Sequence, residues 1–203
     1  MNRPTFLAPN AIAPAQELLD SFLDAQLKQG VPFEPGQFIQ LAWMWLKVGG
    51  SQEAPVIMAP IIGIAPMTFA PDCSDALNLI FLQRYVCDSF QAGFQICDAR
   101  QSIIVMKDIE NCKELHMARA PNESPHASGW FLGAADSALD AEKPDSLELK
   151  SLWDVACLFP QILDFFLLPD GWQVVFKDRP IVLHDYEPAN AVPESYFARK
   201  YLA

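Results

Sequence analysis

Apolar positions early in the chain recur at helical spacing. Leu18, Leu19, Phe22, Leu23 and Leu27 share one side, and Glu17, Asp20 and Asp24 share the other. This is the 3.6-residue period of an amphipathic helix. Pro14 suits its first turn, and Lys28 followed by Gly30 closes it. A second helix is predicted from Pro35, because Phe38, Leu41, Ala42, Trp45 and Leu46 fall at i, i+3, i+4, i+7 and i+8 before Gly49-Gly50. A third is predicted over 74–91, with Asp72 as a candidate N-cap. It is apolar on two sides, Leu77, Ile80 and Phe81 on one and Leu79, Leu82, Val86 and Phe90 on the other. Such a helix lies between layers.

The pattern changes from Phe94. Residues 102–106 form a short β-branched run, 108–111 a turn, 115–119 a returning strand and 129–133 a third strand. Residues 134–150 are polar and acidic. A helix is predicted over 152–166, a turn at Asp170-Gly171, and strands at 172–176 and 181–184. The predicted fold is therefore α+β: an N-terminal helical part packed on a C-terminal, mainly antiparallel sheet with one long helix. The composition shift near residue 93 divides the chain into a mainly helical part, 1–93, and an α+β part, 94–203, with no Gly/Ser linker between them.

Composition narrows the function classes. Hydrophobic residues make up 51% of the 203 and charged residues 19%, so there is ample material for a core. Residues 54–71 carry no charge and are long enough to suggest a membrane span. Pro55, Pro60 and Pro66 argue instead for a buried, proline-punctuated strand or loop, because each removes a backbone donor. The net charge of −11 repels nucleic-acid phosphate and attracts basic partners. The cysteines are odd in number, five, and scattered without a C-x-x-C, which reads as free thiols in a reducing compartment. The apolar run of Phe6 to Ala8 is too short for an export signal, so a cytoplasmic protein is expected.

Candidate chemistry is sparse. Cys112, His116 and His126 lack the paired spacing of a structural zinc site, so no metal is expected. There is no nucleophile elbow and no glycine-rich phosphate loop, so no catalytic residue and no cofactor is assigned. The acidic segment is the main remaining candidate. Asp136, Asp140, Glu142, Asp145, Glu148 and Asp154 face only Lys143 and Lys150. It reads either as a solvated face or as a landing site for a basic partner. Trp130 and Trp153, beside and within it, are candidate anchors.

One ordered set of residues resembles a known family. Ser128-Gly129-Trp130-Phe131-Leu132-Gly133 is followed by Asp136, then Phe159-Pro160-Gln161-Ile162-Leu163, then Gly171-Trp172-Gln173-Val174-Val175-Phe176. From about residue 103 to 177 this order resembles the polymorphic-toxin immunity proteins of family thirty-three, with Arg119 also matching. The resemblance implies a non-enzymatic protein, encoded beside a toxin, that neutralises that toxin by stoichiometric contact. Under it the partner-binding candidates are Asp136, Asp140, Glu142, Asp145, Glu148 and Trp130, and the partner is a basic cognate toxin. The rival reading is a small-ligand-binding or regulatory domain, with the aromatic N-terminal helices lining a pocket. The sequence leaves the oligomeric state open.

Overall fold

In the computed structural model, which describes residues 2–203, the chain divides into two compact units, one ending at Phe81 and one beginning at Leu82. The fold is α+β. The first unit opens with helix α1 (Ala13–Lys28), which buries Ala15, Leu19 and Leu23 along one face and ends in the Lys28–Gly30 region as its residues dictate. Arg3 forms ion pairs with Asp20 and Asp24 on the helix's wet side.

The helix expected from Pro35 is not there. Residues 38–50 form a hairpin of β1 (Phe38–Leu41) and β2 (Met44–Gly50). The residues fit two periods at once. The helical stripe is real as a spacing, but within the strands Ile39, Leu41, Met44, Leu46 and Val48 are buried, with Trp43 buried in the turn, which is strand alternation on either side of a two-residue turn. Ala42 makes that turn with φ of 53°, a conformation usually given to Gly or Asn, so nothing in the sequence marks it. Two further strands, β3 (Pro55–Pro60) and β4 (Phe69–Ala70), extend the sheet in the order β1-β2-β3-β4, and the uncharged 54–71 stretch thus supplies strands and a loop. Helix α2 (Ser74–Ser89) follows, with Asp72 accepting the Ser74 N–H at 2.9 Å. The division between the units falls inside α2. No helix among the described residues is long and apolar enough to cross a membrane.

The second unit is built on a seven-stranded sheet. Its strands are β5 (Ser102–Met106), β6 (Leu115–Arg119), β7 (Ala127–Ala134), β8 (Leu147–Ser151), β9 (Trp172–Phe176), β10 (Pro180–His184) and β11 (Glu187–Pro188). Their order is β11-β10-β9-β6-β7-β5-β8, and only β5 with β7 is parallel. Strand β6 therefore does not return onto β5. Its partners are β7 and β9, and β5 takes the far edge of β7. Strand β8 lies inside the acidic stretch, which has too little apolar alternation to announce a strand. The single long helix is also corrected. Helix α3 (Leu152–Leu158), capped by Ser151 Oγ on the Asp154 N–H, stops before Pro160, and Pro160–Phe165 continues as a 3-10 turn. The residue before a proline is pushed out of the helical region, and Phe159 sits at φ −129°, ψ 73°.

Alternation assigns the two faces of this sheet. Ile103, Val105, Met117, Trp130, Leu132, Val174 and Val182 are buried on one face. The chain at 160–166 lies against it. The Phe165 ring meets Phe176 edge-on at 5.5 Å, and Trp130 Nε1 donates to the Phe166 carbonyl at 3.4 Å. The alternate residues form the other, open face.

Candidate partner-binding site

Strand β7 explains its own unusual residues. The β5–β7 register runs from Ser102↔Ala127 to Ile104↔Phe131, so two extra residues bulge out of β7. Gly129 occupies the bulge at φ 79°, where an added Cβ would lie 2.5 Å from the Ala120 carbonyl oxygen. Only glycine fits there. Ser128 ties the bulge down, donating to the Ser102 carbonyl at 2.9 Å and accepting the Trp130 N–H at 3.2 Å. Trp130 then points into the core and Phe131 onto the open face. At Gly133 a Cβ would lie 2.7 Å from the Phe131 ring, so the missing side chain lets that ring lie flat along the strand.

Arg119, opposite Trp130 in β6, is a buried clamp. Its Nη1 donates to the carbonyls of Gln95 at 2.8 Å and Leu168 at 2.9 Å, and its guanidinium lies 5.5 Å from the Trp130 ring centroid. Nε sits 3.7 Å from the Asp170 carboxylate. Burial pulls this guanidinium below its ordinary pKa, against the charge of Asp170. The clamp therefore fixes the 166–170 segment under the sheet.

On the open face one row of paired residues crosses the sheet: Leu149, Ile104, Phe131, Ala118, Gln173 and Leu183. Leu149 is 69% exposed and Ile104 42%. Leu149, Ile104, Phe131, Ala118 and Gln173 of this row line a groove of about 720 Å³, rimmed by the 120–127 loop and by Asp185 and Tyr186. Exposed apolar surface of this kind, edged by polar groups, marks interaction sites.

The Imm33-like domain family matches residues 82–187, more than half of the chain, and covers every residue of the bulge, clamp and groove. The chain belongs to the Imm33-like family. No curated protein and no solved structure matches it.

In this Imm33-like unit, the residues singled out in the sequence take different roles. Trp130 is 1% exposed, so it is a core residue and not a surface anchor. Its place was invisible in sequence because the bulge resets which residues of β7 face inward. Asp136 is exposed, but both its oxygens accept backbone N–H bonds, from Lys113 at 2.9 Å and Glu114 at 3.0 Å. Those bonds hold its carboxyl below the usual range. Asp140, Glu142 and Asp145 are exposed on the loop before β8, and Glu148 is half-buried in β8. Asp140 pairs with Lys143 at 3.6 Å and Glu148 with Lys150 at 3.2 Å. Cys112, His116 and His126 do not converge. His116 Nε2 meets Gln173 Oε1 at 3.1 Å, and Cys112 Sγ meets the Asp108 carbonyl at 3.5 Å. Among the described residues no group of three or more His, Cys, Asp or Glu side chains could hold a metal. Cys73, Cys87, Cys97 and Cys112 are free thiols, and burial pushes those of Cys73, Cys87 and Cys97 up to about 12.

Sequence reasoning missed two features. One is the open-face row, which needs the strand order. The other is a cluster at the C-terminal end, where the buried Asp164 carboxylate accepts from Lys200 Nζ and from Tyr201 Oη at 2.7 Å, with Tyr196 Oη at 3.3 Å. Asp164 anchors the aromatic tail to this unit.

Proposed function

We propose that this chain is an immunity protein that binds a cognate toxin and blocks it by stoichiometric contact. Membership of the Imm33-like family carries the reading. It makes the partner a protein, and the open sheet face of the matched unit supports this. A floor with Leu149 69% and Ile104 42% exposed suits a macromolecule better than an enclosed small ligand. No residue is given a turnover role.

The acidic loop enters as a steering element for a basic toxin. Asp140, Glu142 and Asp145 are exposed and close in sequence, so their field adds. Asp136 and Glu148 contribute charge while also serving the local structure. Such steering is screened over about 8 Å at physiological salt. The triple variant Asp140→Asn, Glu142→Gln, Asp145→Asn is expected to lower the association rate with the toxin encoded beside this chain about fivefold at low salt. It is also expected to flatten the salt dependence and leave dissociation nearly unchanged. Association kinetics at two salt concentrations test it. A wild-type rate for the triple variant would reduce this loop to a solvated face.

A further inference from the structure

The turn between β10 and β11 places a tyrosine where hairpins normally place Asn or Gly. Asp185 and Tyr186 both lie in the left-handed region, at φ 50° and 69°, between the paired His184 and Glu187. A Cβ is disfavoured at both positions. The turn is nevertheless pinned. The Asp185 N–H donates to the Gly171 carbonyl at 3.0 Å, and the His184 ring stacks on Trp172 at 4.6 Å. The result is a Tyr186 side chain held out into solvent, 82% exposed, on a fixed support at the rim of the groove. Strain of this kind persists where the surroundings over-determine it, and it clusters at recognition sites.

The charge that the groove lining exposes is negative. Asp185, whose side chain is 78% exposed and whose Oδ2 lies 3.7 Å from His184 Nε2, presents a carboxylate. The Arg119 guanidinium belongs to the lining but is turned inward onto backbone carbonyls, with its side chain 2% exposed. His126 and the Tyr186 phenol are the other titratable groups in the lining. Apolar floor, aromatic rim and carboxylate together select a particular partner surface.

We infer that this groove is the docking site for the toxin. It receives an apolar side chain on the floor of Leu149, Ile104 and Phe131, flanked by a Lys or Arg that meets Asp185 and lies over the Tyr186 ring. The inference rests on the immunity reading above and adds where and by what chemistry the toxin is held. Tyrosine is enriched among residues that dominate binding energy, and a rigid one loses little entropy on docking. A cation over its ring is attracted by the ring quadrupole.

The test measures dissociation of the toxin encoded beside this chain from the wild type and from two variants on different elements. Tyr186→Asn relieves the left-handed turn and Leu149→Ser changes an exposed edge position, so neither should melt below the wild type. Each is expected to raise the dissociation rate at least tenfold, and Asp185→Asn about threefold. Wild-type dissociation from both Tyr186→Asn and Leu149→Ser would overturn the groove while leaving the immunity reading standing. Failure of the wild type to bind that toxin would overturn both. Sedimentation of the chain alone decides a further case. A dimer dispersed by Leu149→Ser would give the groove to a second copy and overturn the toxin assignment.

Discussion

A buried guanidinium is tolerated at Arg119 because two close carbonyl acceptors, those of Gln95 and Leu168, and the Asp170 carboxylate surround it. Breaking such an arrangement from one side leaves polar groups unmatched in the core. Arg119→Met is therefore expected to destabilise the protein by about 3 kcal/mol, read from the urea midpoint. A midpoint within experimental error of wild type would mean that the 166–170 segment holds without the clamp. At Gly129 both backbone conformation and space forbid a side chain. Gly129→Ala is expected to lose at least about 2 kcal/mol in the same measurement, from the left-handed penalty plus the contact with the Ala120 carbonyl. The identities of Ser128, Gly129, Trp130 and Gly133 were legible as a set in the sequence. Their reasons were not, because a bulge and a ring lying along a strand depend on partners distant in sequence.

Single elements show where local pattern suffices. Helix α1 and strand β6 follow from periodicity, since each carries one clear period, and β9 follows from its apolar run after the Asp170-Gly171 turn. The β1–β2 hairpin did not, because Phe38 to Leu46 satisfies a helical stripe and an alternating strand together, and Ala42 hides the turn. Ala42→Asn is expected to stabilise the protein by about 0.5–1 kcal/mol by relieving the left-handed alanine. A loss of stability would show that the turn is not limiting. The C-terminal element makes a prediction in pH. Burial works to lower the Lys200 ammonium, but its hydrogen bonds to Asp164 and Tyr196, with the Asp164 charge, outweigh it and leave the pKa raised. Burial first, then the charge of Asp164, raises the Tyr201 phenol. Groups raised in the folded state stabilise it fully below their unfolded values, and that stability is lost as pH climbs through the raised ones. Stability should therefore hold to pH 10 and fall above it, and Asp164→Asn should blunt the fall. Amide exchange at Phe197 to Tyr201 across that range reads the effect directly. Exchange that is independent of pH, after correction for the intrinsic rate, would contradict it.

At the scale of the whole molecule, the sequence's acidic character and its family pattern carried most of the functional reading. The proposed docking face did not show, because Leu149, Ile104, Phe131 and Tyr186 come together only through the strand order β11-β10-β9-β6-β7-β5-β8. Four residues scattered over more than eighty positions have no common signal along the chain. The second unit combines a buried frame of Trp130, Arg119 and Asp164 with an open-face row that exposes Leu149 and Ile104 and with an exposed acidic loop. The central claim is that protection comes from contact in fixed proportion. It is tested most directly by titrating this protein into a fixed concentration of its proposed cognate toxin, well above the dissociation constant, and recording residual toxin activity. The account predicts a linear fall that ends at one protein per toxin, unchanged by alanine at Cys112, His116 or His126. Full protection at a small fraction of an equivalent would reveal turnover and contradict it.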